Sequence, residues 1–368
     1  MPYEIPELIE LKNTLDDPGE LEQHLLEIGV KKNERILTVT GCTKTYEIAR
    51  KILESSELEL IFKKVKKPTP AAAVDLVQLI QVKDVSHVLA IGGGKPIDVA
   101  KYAAHTTGKP LYVLPTAPSH DGISSGNVSL KGWGKPYSIV ATPPRFVFYD
   151  LQLLVEAPYD LITAGIGDML GKFTASRDLD LSIQEQRYNL QNFSPEELKE
   201  IKTKYFIDGA KKIFYEINKL KQKGFPEASF RELVGELFHA LFNSGKGMAI
   251  LKSSVGASGS EHLYAHALLR GRHGHKVAIG SIIMMYMQEK YLGEEKIYGV
   301  DHTTLREKFE FMGIPTTGEA LGVKEEEMIY ALLKAKEIGR ERGRFTILEC
   351  VEITPEYGKK LLTKLEII

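Results

Sequence analysis

Over the first 150 residues, short apolar runs alternate with longer stretches of helical periodicity. Residues 35–41 (RILTVTG) form a β-branched apolar run ending in glycine, followed by the helical pattern of TKTYEIARKILESS. LELIFKKV at 58–65 precedes AAAVDLVQLIQVKD, HVLAIGGG at 87–94 feeds PIDVAKYAAHT, and LYVLPTAP spans 111–118. This alternation predicts β-α-β units around a parallel, doubly wound sheet. VSLKGWGKPYSIVATPPRFVFYD then reads as a hairpin, with Gly132, Gly134 and Pro136 at its turn, followed by a last strand. Beyond Asp150 the pattern is helical throughout, as in LQLLVEAPYDLITAGIGDMLGKFTASRDLDLSIQ and ASFRELVGELFHALFNSGKGMAILK, with no convincing strand. The expected division is an α/β Rossmann-like domain over 1–152 and an all-helical domain over 153–368.

Length supports that division, since 368 residues exceed the usual size of one core. Charge is balanced at 48 Lys plus Arg against 49 Asp plus Glu, so bulk electrostatics point to neither a nucleic acid nor a membrane surface. Cys42 and Cys350 suit neither a disulfide framework nor a paired-cysteine metal site, and read as free thiols. The acidic, proline-containing start MPYEIPELIELKNTL lacks the features of a signal peptide, and no apolar run is long enough to span a bilayer. The expectation is a soluble cytoplasmic protein.

Four of the ten histidines fall within fourteen residues, in SGSEHLYAHALLRGRHGHKVA at 258–278. On a helix, His262 and His266 share a face. With a loop imidazole, His273 or His275, and a distant carboxylate they could form a zinc-type site; solvated histidines on a basic surface are the alternative. Asp168, following Gly165 and Gly167 in an apolar segment, is a candidate for that carboxylate, with a helix cap as its alternative. Gly92, Gly93 and Gly94 stand at a strand-to-helix junction, where backbone amides and the helix dipole favour a diphosphate; an ordinary turn is the other reading. Asp98 and Lys101, just inside that helix, are accounted for by capping and solvation. The loop PTAPSHDGISSGN at 115–127 lies beyond the carboxyl end of a strand, where open α/β sheets bind ligands, and makes His120 and Asp121 candidates for holding a polar substrate.

In order and spacing, GGGKPIDVAK, PTAPSHDG, GIGDMLGKFTASRDLDL, SGSEHLYAHAL and HGHKVAIG resemble the metal-dependent dehydrogenases of the glycerol dehydrogenase group, which includes iron-containing alcohol dehydrogenases and 3-dehydroquinate synthase. APSHDG, DMLGKFTASRDL and SGSEH are similar to the sn-glycerol-1-phosphate dehydrogenase branch, whose product enters archaeal phospholipids. The resemblance implies a site in the cleft between two domains, with Asp168, His262 and His273 holding the metal. It makes His266 either a support behind the metal ligands or a proton-relay residue, and Asp121 the contact to the glycerol-type hydroxyls. Gly92, Gly93 and Gly94 would cradle the cofactor diphosphate, with Thr116 near the nicotinamide; Lys95, Asp98, Ser119 and Ser125 join the implied cofactor contacts. Lys172 stands where iron-type alcohol dehydrogenases place a further histidine, which implies Zn2+ on three protein ligands. His275 stands where many relatives have glutamate, and SSGNVSL departs from the alanine-serine-proline pattern expected after HDG. Thr43, Lys44 and Thr45 end the first predicted strand without an acid, which favours NADP(H) at least as well as NAD(H). A phosphorylated triose substrate would be held by some of Lys131, Lys135, Arg270 and Arg272. A homo-oligomer without nucleic-acid or membrane partners completes the expectation. Glycerol dehydrogenase, 3-dehydroquinate synthase and a non-catalytic nucleotide sensor are the rival readings.

Overall fold

The computed structural model describes residues 5–132, 135–190 and 192–368, apart from the side chains of 135–138. It divides into two compact units, Met1–Ile162 with Met248–Lys252, and Thr163–Gly247 with Ser253–Ile368. The first unit contains a six-stranded parallel sheet in the order β1-β8-β5-β4-β2-β3. In chain order its elements are β1 (Glu7–Leu11), α1 (Glu20–Glu27), β2 (Arg35–Thr40), α2 (Lys44–Ile52), β3 (Glu59–Lys64), α3 (Pro70–Val82), β4 (His87–Gly92), α4 (Gly94–Thr107) and β5 (Leu111–Pro115). The antiparallel pair β6 (Asn127–Gly132) and β7 (Lys135–Val140) follows, then β8 (Phe146–Asp150) and α5 (Leu151–Val155). The β2, β4, β5 and β8 assignments follow their apolar runs, because central parallel strands are covered on both faces. Gly132 and Pro136 lie within the paired strands rather than at the hairpin turn, and Gly134 lies outside the described residues.

Two features lack that signal. β1 carries Glu7 and Glu10, only Leu11 in it is fully buried, and it pairs in parallel with β8 alone at the sheet edge. Alternation of apolar and polar residues is therefore weak there. Lys101, expected to be solvated, has no exposed surface, and its ammonium donates to the carbonyls of Gly122 and Asn127 at 2.7 Å each. A buried ammonium needs such acceptors.

The second unit is helical, and counting the start of α6 and the end of α10, which belong to the first, its elements are α6 (Tyr159–Leu170), α7 (Lys172–Gln184), α8 (Pro195–Lys202), α9 (Asp208–Gln222), α10 (Glu227–Leu251), α11 (Ser260–Ala267) and α12 (His273–Leu292). Then come α13 (His302–Phe311), α14 (Gly318–Leu321), α15 (Glu325–Glu341), α16 (Ile347–Cys350) and α17 (Pro355–Lys364). His273, expected on a loop, is the first residue of α12. Among the described residues both cysteines are free, and no helix is long and apolar enough to cross a membrane.

Candidate active site

In the first unit, the strand order reverses between β2 and β4, because β2 pairs with both β3 and β4. Ligands of open parallel sheets bind at such a switch point, beyond the strand ends. The turns after the two strands meet there: a Cβ placed on Gly92 would lie 3.7 Å from the Thr45 side chain. Gly92 has φ +155°, a conformation that a side chain disfavours. Gly93 is the N-cap of α4 and makes no side-chain cap hydrogen bond, and a Cβ on it would meet nothing within 4 Å. The turn thus offers an uncapped helix start with open space over its backbone, as a diphosphate requires. The Thr116 amide donates to the Gly92 carbonyl at 3.1 Å, which ties the loop after β5 to this turn. His120 closes over Gly94, where a Cβ would come within 2.1 Å of its Nε2, while its Nδ1 accepts from the Gly122 amide at 2.9 Å. Thr116 and Gly92–Gly94 are therefore neighbours, with Thr43 and Lys44 on the adjoining turn.

The other expected contacts vary. Lys95 is exposed and Ser119 half-buried. Lys44 donates to the Glu156 carbonyl at 3.3 Å. Asp98 accepts from the Ser129 amide at 3.3 Å and lies 3.8 Å from the Lys101 ammonium. Ser125 is buried, and its hydroxyl accepts from the Asn127 amide at 3.3 Å. Asp121, half-buried, opens a short 3-10 turn, Asp121–Ile123, directly beside the Gly122 carbonyl held by Lys101.

In the second unit, Asp168, His262 and His273 come together from α6, α11 and α12. Their ligand atoms all lie within 4.8 Å of one another. Asp168 Oδ1 is 3.1 Å from His262 Nε2 and 3.5 Å from His273 Nε2. Donors bonded to a tetrahedral zinc at its usual distances stand about 3.3 Å apart, so these two edges fit a divalent ion. Two glycines allow the approach. A Cβ on Gly274 would sit 1.7 Å from the Ala164 carbonyl oxygen, and one on Gly167 would sit 2.2 Å from the Gly274 carbonyl oxygen. The residue before Asp168 and the residue after His273 thus let α6 and α12 touch backbone to backbone.

The surrounding charges are ordered. Glu261, fully buried, has Oε1 2.6 Å from His262 Nδ1 and accepts the Gly259 amide at 2.7 Å; the Thr174 hydroxyl lies 2.8 Å from Oε2. A carboxylate on the far nitrogen turns the imidazole and leaves Nε2 for a metal. Burial acts to raise the Asp168 pKa, but the Lys172 charge and the two imidazole hydrogen bonds outweigh it and hold the carboxyl well below its ordinary value. For His262, burial acts downward and the hydrogen bonds to Asp168 and Glu261 prevail, so its pKa is raised. Asp178 caps α11 from outside, accepting the Ser260 amide at 2.7 Å and the Gln288 side chain and Ile347 amide at 3.0 Å each. Burial and the nearby Glu261 push its pKa up to about 6.

His266 lies outside the donor triangle. Its ring is edge-on to that of His273 with centroids 5.9 Å apart, and Arg342 Nη2 lies 3.0 Å from its Nδ1. A guanidinium can only donate, so Nδ1 accepts and the ring proton resides on Nε2. Burial, then the His273 and Arg342 charges, hold the His266 pKa well below its ordinary value. His275 turns instead to the Thr163 hydroxyl, 2.9 Å from its Nε2. Arg270 and Arg272 are exposed in the turn leading to His273, Lys131 is exposed on β6, and the side chain of Lys135 lies outside the described residues. Glu261 could have been noticed in sequence from its place beside His262; Arg342 and Asp178, 76 and 82 residues from their partners, carried no local signal.

The iron-containing alcohol dehydrogenase family model matches residues 18–158. Among solved structures, a probable glycerol dehydrogenase from Sinorhizobium meliloti superimposes with a TM-score of 0.71 at 19% identity, covering 98% of this chain and 96% of that one. An iron-containing alcohol dehydrogenase from Corynebacterium glutamicum gives 0.70 at 15% identity, covering 99% and 96%. These likenesses establish the fold. A glycerol-1-phosphate dehydrogenase, NAD(P)+, of Thermofilum pendens is 37% identical over 283 residues, 75% of this chain and 74% of that protein. Its namesake in Sulfurisphaera tokodaii is 34% identical over 340 residues, 90% of this chain and 89% of the other. With that identity sustained over most of both sequences, the chain belongs to the glycerol-1-phosphate dehydrogenase family.

Proposed function

We propose that the chain is an NAD(P)-linked oxidoreductase that reduces dihydroxyacetone phosphate to sn-glycerol 1-phosphate, the glycerol phosphate of archaeal phospholipids. The observation that carries the reading is the Asp168, His262 and His273 triangle, in a chain whose relatives bear that name. These three residues would hold a divalent ion, and two imidazoles with one carboxylate suit Zn2+. When bound, the ion supplies Lewis acidity toward the substrate carbonyl and the reduced nicotinamide supplies the hydride.

The remaining chemistry belongs to side chains. The product alcohol takes up one proton from solvent, and His266, whose Nδ1 accepts from Arg342, uses its Nε2–H to orient the water or substrate hydroxyl through which that proton passes. Asp121 accepts hydrogen bonds from the triose hydroxyls. Gly92, Gly93 and Gly94 receive the diphosphate, Thr116 the nicotinamide end, and Thr43 and Lys44 the adenosine ribose; Lys95, Asp98, Ser119 and Ser125 support the nucleotide loop. Arg270 and Arg272, in the turn leading to His273, are proposed as donors for the substrate phosphate, with Lys131 and Lys135 as the other candidates. The nucleotide thus belongs to 1–152 and the metal and substrate to 153–368. A cytoplasmic, homo-oligomeric enzyme completes the proposal.

The test is NAD(P)H oxidation with dihydroxyacetone phosphate in the zinc-loaded protein, with chiral analysis of the product. The reading expects sn-glycerol 1-phosphate and no comparable turnover of unphosphorylated glycerol in the reverse direction. Preferred oxidation of glycerol, or the opposite enantiomer, would overturn it.

A further inference from the structure

The two oxygens of Asp168 face different groups. Oδ1 looks toward His262 Nε2 and His273 Nε2, at 3.1 and 3.5 Å, while Oδ2 lies 3.4 Å from the ammonium of Lys172. Lys172 has no exposed surface, and Asp168 is 1% exposed. Their four-residue spacing runs through Gly171, where a Cβ would sit 2.6 Å from Val277 Cγ1, so α7 starts tightly against α12. A lysine ordinarily carries its charge to water on a flexible stem. Here it is held inside, against one oxygen of a carboxylate whose other oxygen belongs to the donor triangle.

We propose that Lys172 is a specificity-determining residue of the metal centre, engaging Asp168 Oδ2 so that the carboxylate binds through Oδ1 alone. The inference rests on the metal reading above. An aspartate can offer a metal one oxygen or two, and the difference is one unit of coordination number. A charged lysine has three N–H donors and no lone pair, so it occupies Oδ2 without becoming a ligand. The protein then contributes three donor atoms, two nitrogens and one oxygen. Such a set leaves one position of a tetrahedral ion for substrate, and underfills the six or more oxygen-rich positions that harder cations take. Lys172 also fixes the sign of a further effect. Its charge sits beside a cation site, so removing it relieves repulsion as well as freeing Oδ2.

The experiment compares wild type with K172M and K172Q after chelation and reloading with Zn2+ or Co2+. Wild type is expected to take one Co2+ with the intense visible bands of a four-coordinate ion, and a crystal structure with zinc to show one Asp168 oxygen at about 2.0–2.2 Å with the other outside the shell. In K172M the second oxygen enters, the cobalt bands lose intensity, and zinc affinity by chelator competition is no weaker than wild type. K172Q, which keeps an N–H donor without the charge, lies between them. A merely structural lysine would instead weaken zinc binding and leave the cobalt bands unchanged in the fraction loaded. Unchanged bands in K172M, or both Asp168 oxygens bound in wild type, overturn the proposal. The wild-type structure decides the matter even if K172M does not fold. Failure of wild type to bind either metal overturns the metal reading, and this inference with it.

Discussion

On the proposed function, the glycine turn after β4 and the Asp168 triangle both receive charge, by opposite means. The turn uses backbone amides at three consecutive glycines with open space over the middle one, Gly93, and a side chain there would only obstruct. The triangle uses side chains from three helices, spread over Asp168 to His273, with Asp168 held by the buried Lys172 and His262 by the buried Glu261. A backbone site can therefore be damaged without destabilising the fold, whereas the side-chain site and the helical unit stand or fall together.

The largest expected effect is at Asp168. D168A should lose bound zinc and turnover together, and should also lower stability by about 3–5 kcal/mol in urea denaturation, because Lys172 is left buried without its carboxylate. Wild-type stability in that variant would separate the triangle from the fold and break the contrast. G274A comes next. Its methyl would collide with the Ala164 carbonyl, so a stability loss of about 1–3 kcal/mol should accompany weaker zinc binding, measured by denaturation and chelator competition.

At the turn, G93A should do the reverse: stability within about 0.5 kcal/mol of wild type, with NAD(P)H affinity in fluorescence titration reduced about tenfold. A comparable loss of stability would show that the turn is no more independent than the triangle. pH sharpens the comparison further. The folded-state pKa of Asp178 is raised to about 6, so the folded protein holds an extra proton between the ordinary carboxylate pKa and that value. Stability therefore falls as pH rises through this window and levels off above it. Relative to D178N, the metal-free wild type should lose at most about 3 kcal/mol between about pH 4 and pH 7, and G93A should show the same dependence as wild type. The smallest effect is cofactor choice: with Thr43 and Lys44 and no acid after β2, kcat/KM for NADPH should equal or exceed that for NADH, and a large NADH preference would count against this reading of the turn.

Legibility from sequence follows the same divide. Strands β2, β4, β5 and β8 announce themselves because burial on both faces demands continuous apolar runs, and the glycine turn shows as glycine. β1 does not, since an edge strand with two glutamates buries little. Within 258–278, four-residue spacing correctly placed His262 and His266 on one helix. Four residues also advance a helix by about 6 Å, enough to put His262 against Asp168 and His266 against Arg342. His273 was expected on a loop because of the basic, glycine-containing break before it; the left-handed Gly271 turns the chain, and α12 begins two residues later. The partners of Asp178 lie 82 to 169 residues away, beyond the reach of any periodicity.

Lys101 has a consequence for solution conditions. Two carbonyls pointing into one closed space, from Gly122 and Asn127, are the kind of ligand pair that draws a potassium or sodium ion from the medium. In this protein the cation is covalently attached and arrives with the fold. The loop bearing Asp121 is therefore ordered without a monovalent salt, and exchanging potassium for sodium or tetramethylammonium at constant ionic strength should leave substrate binding unchanged.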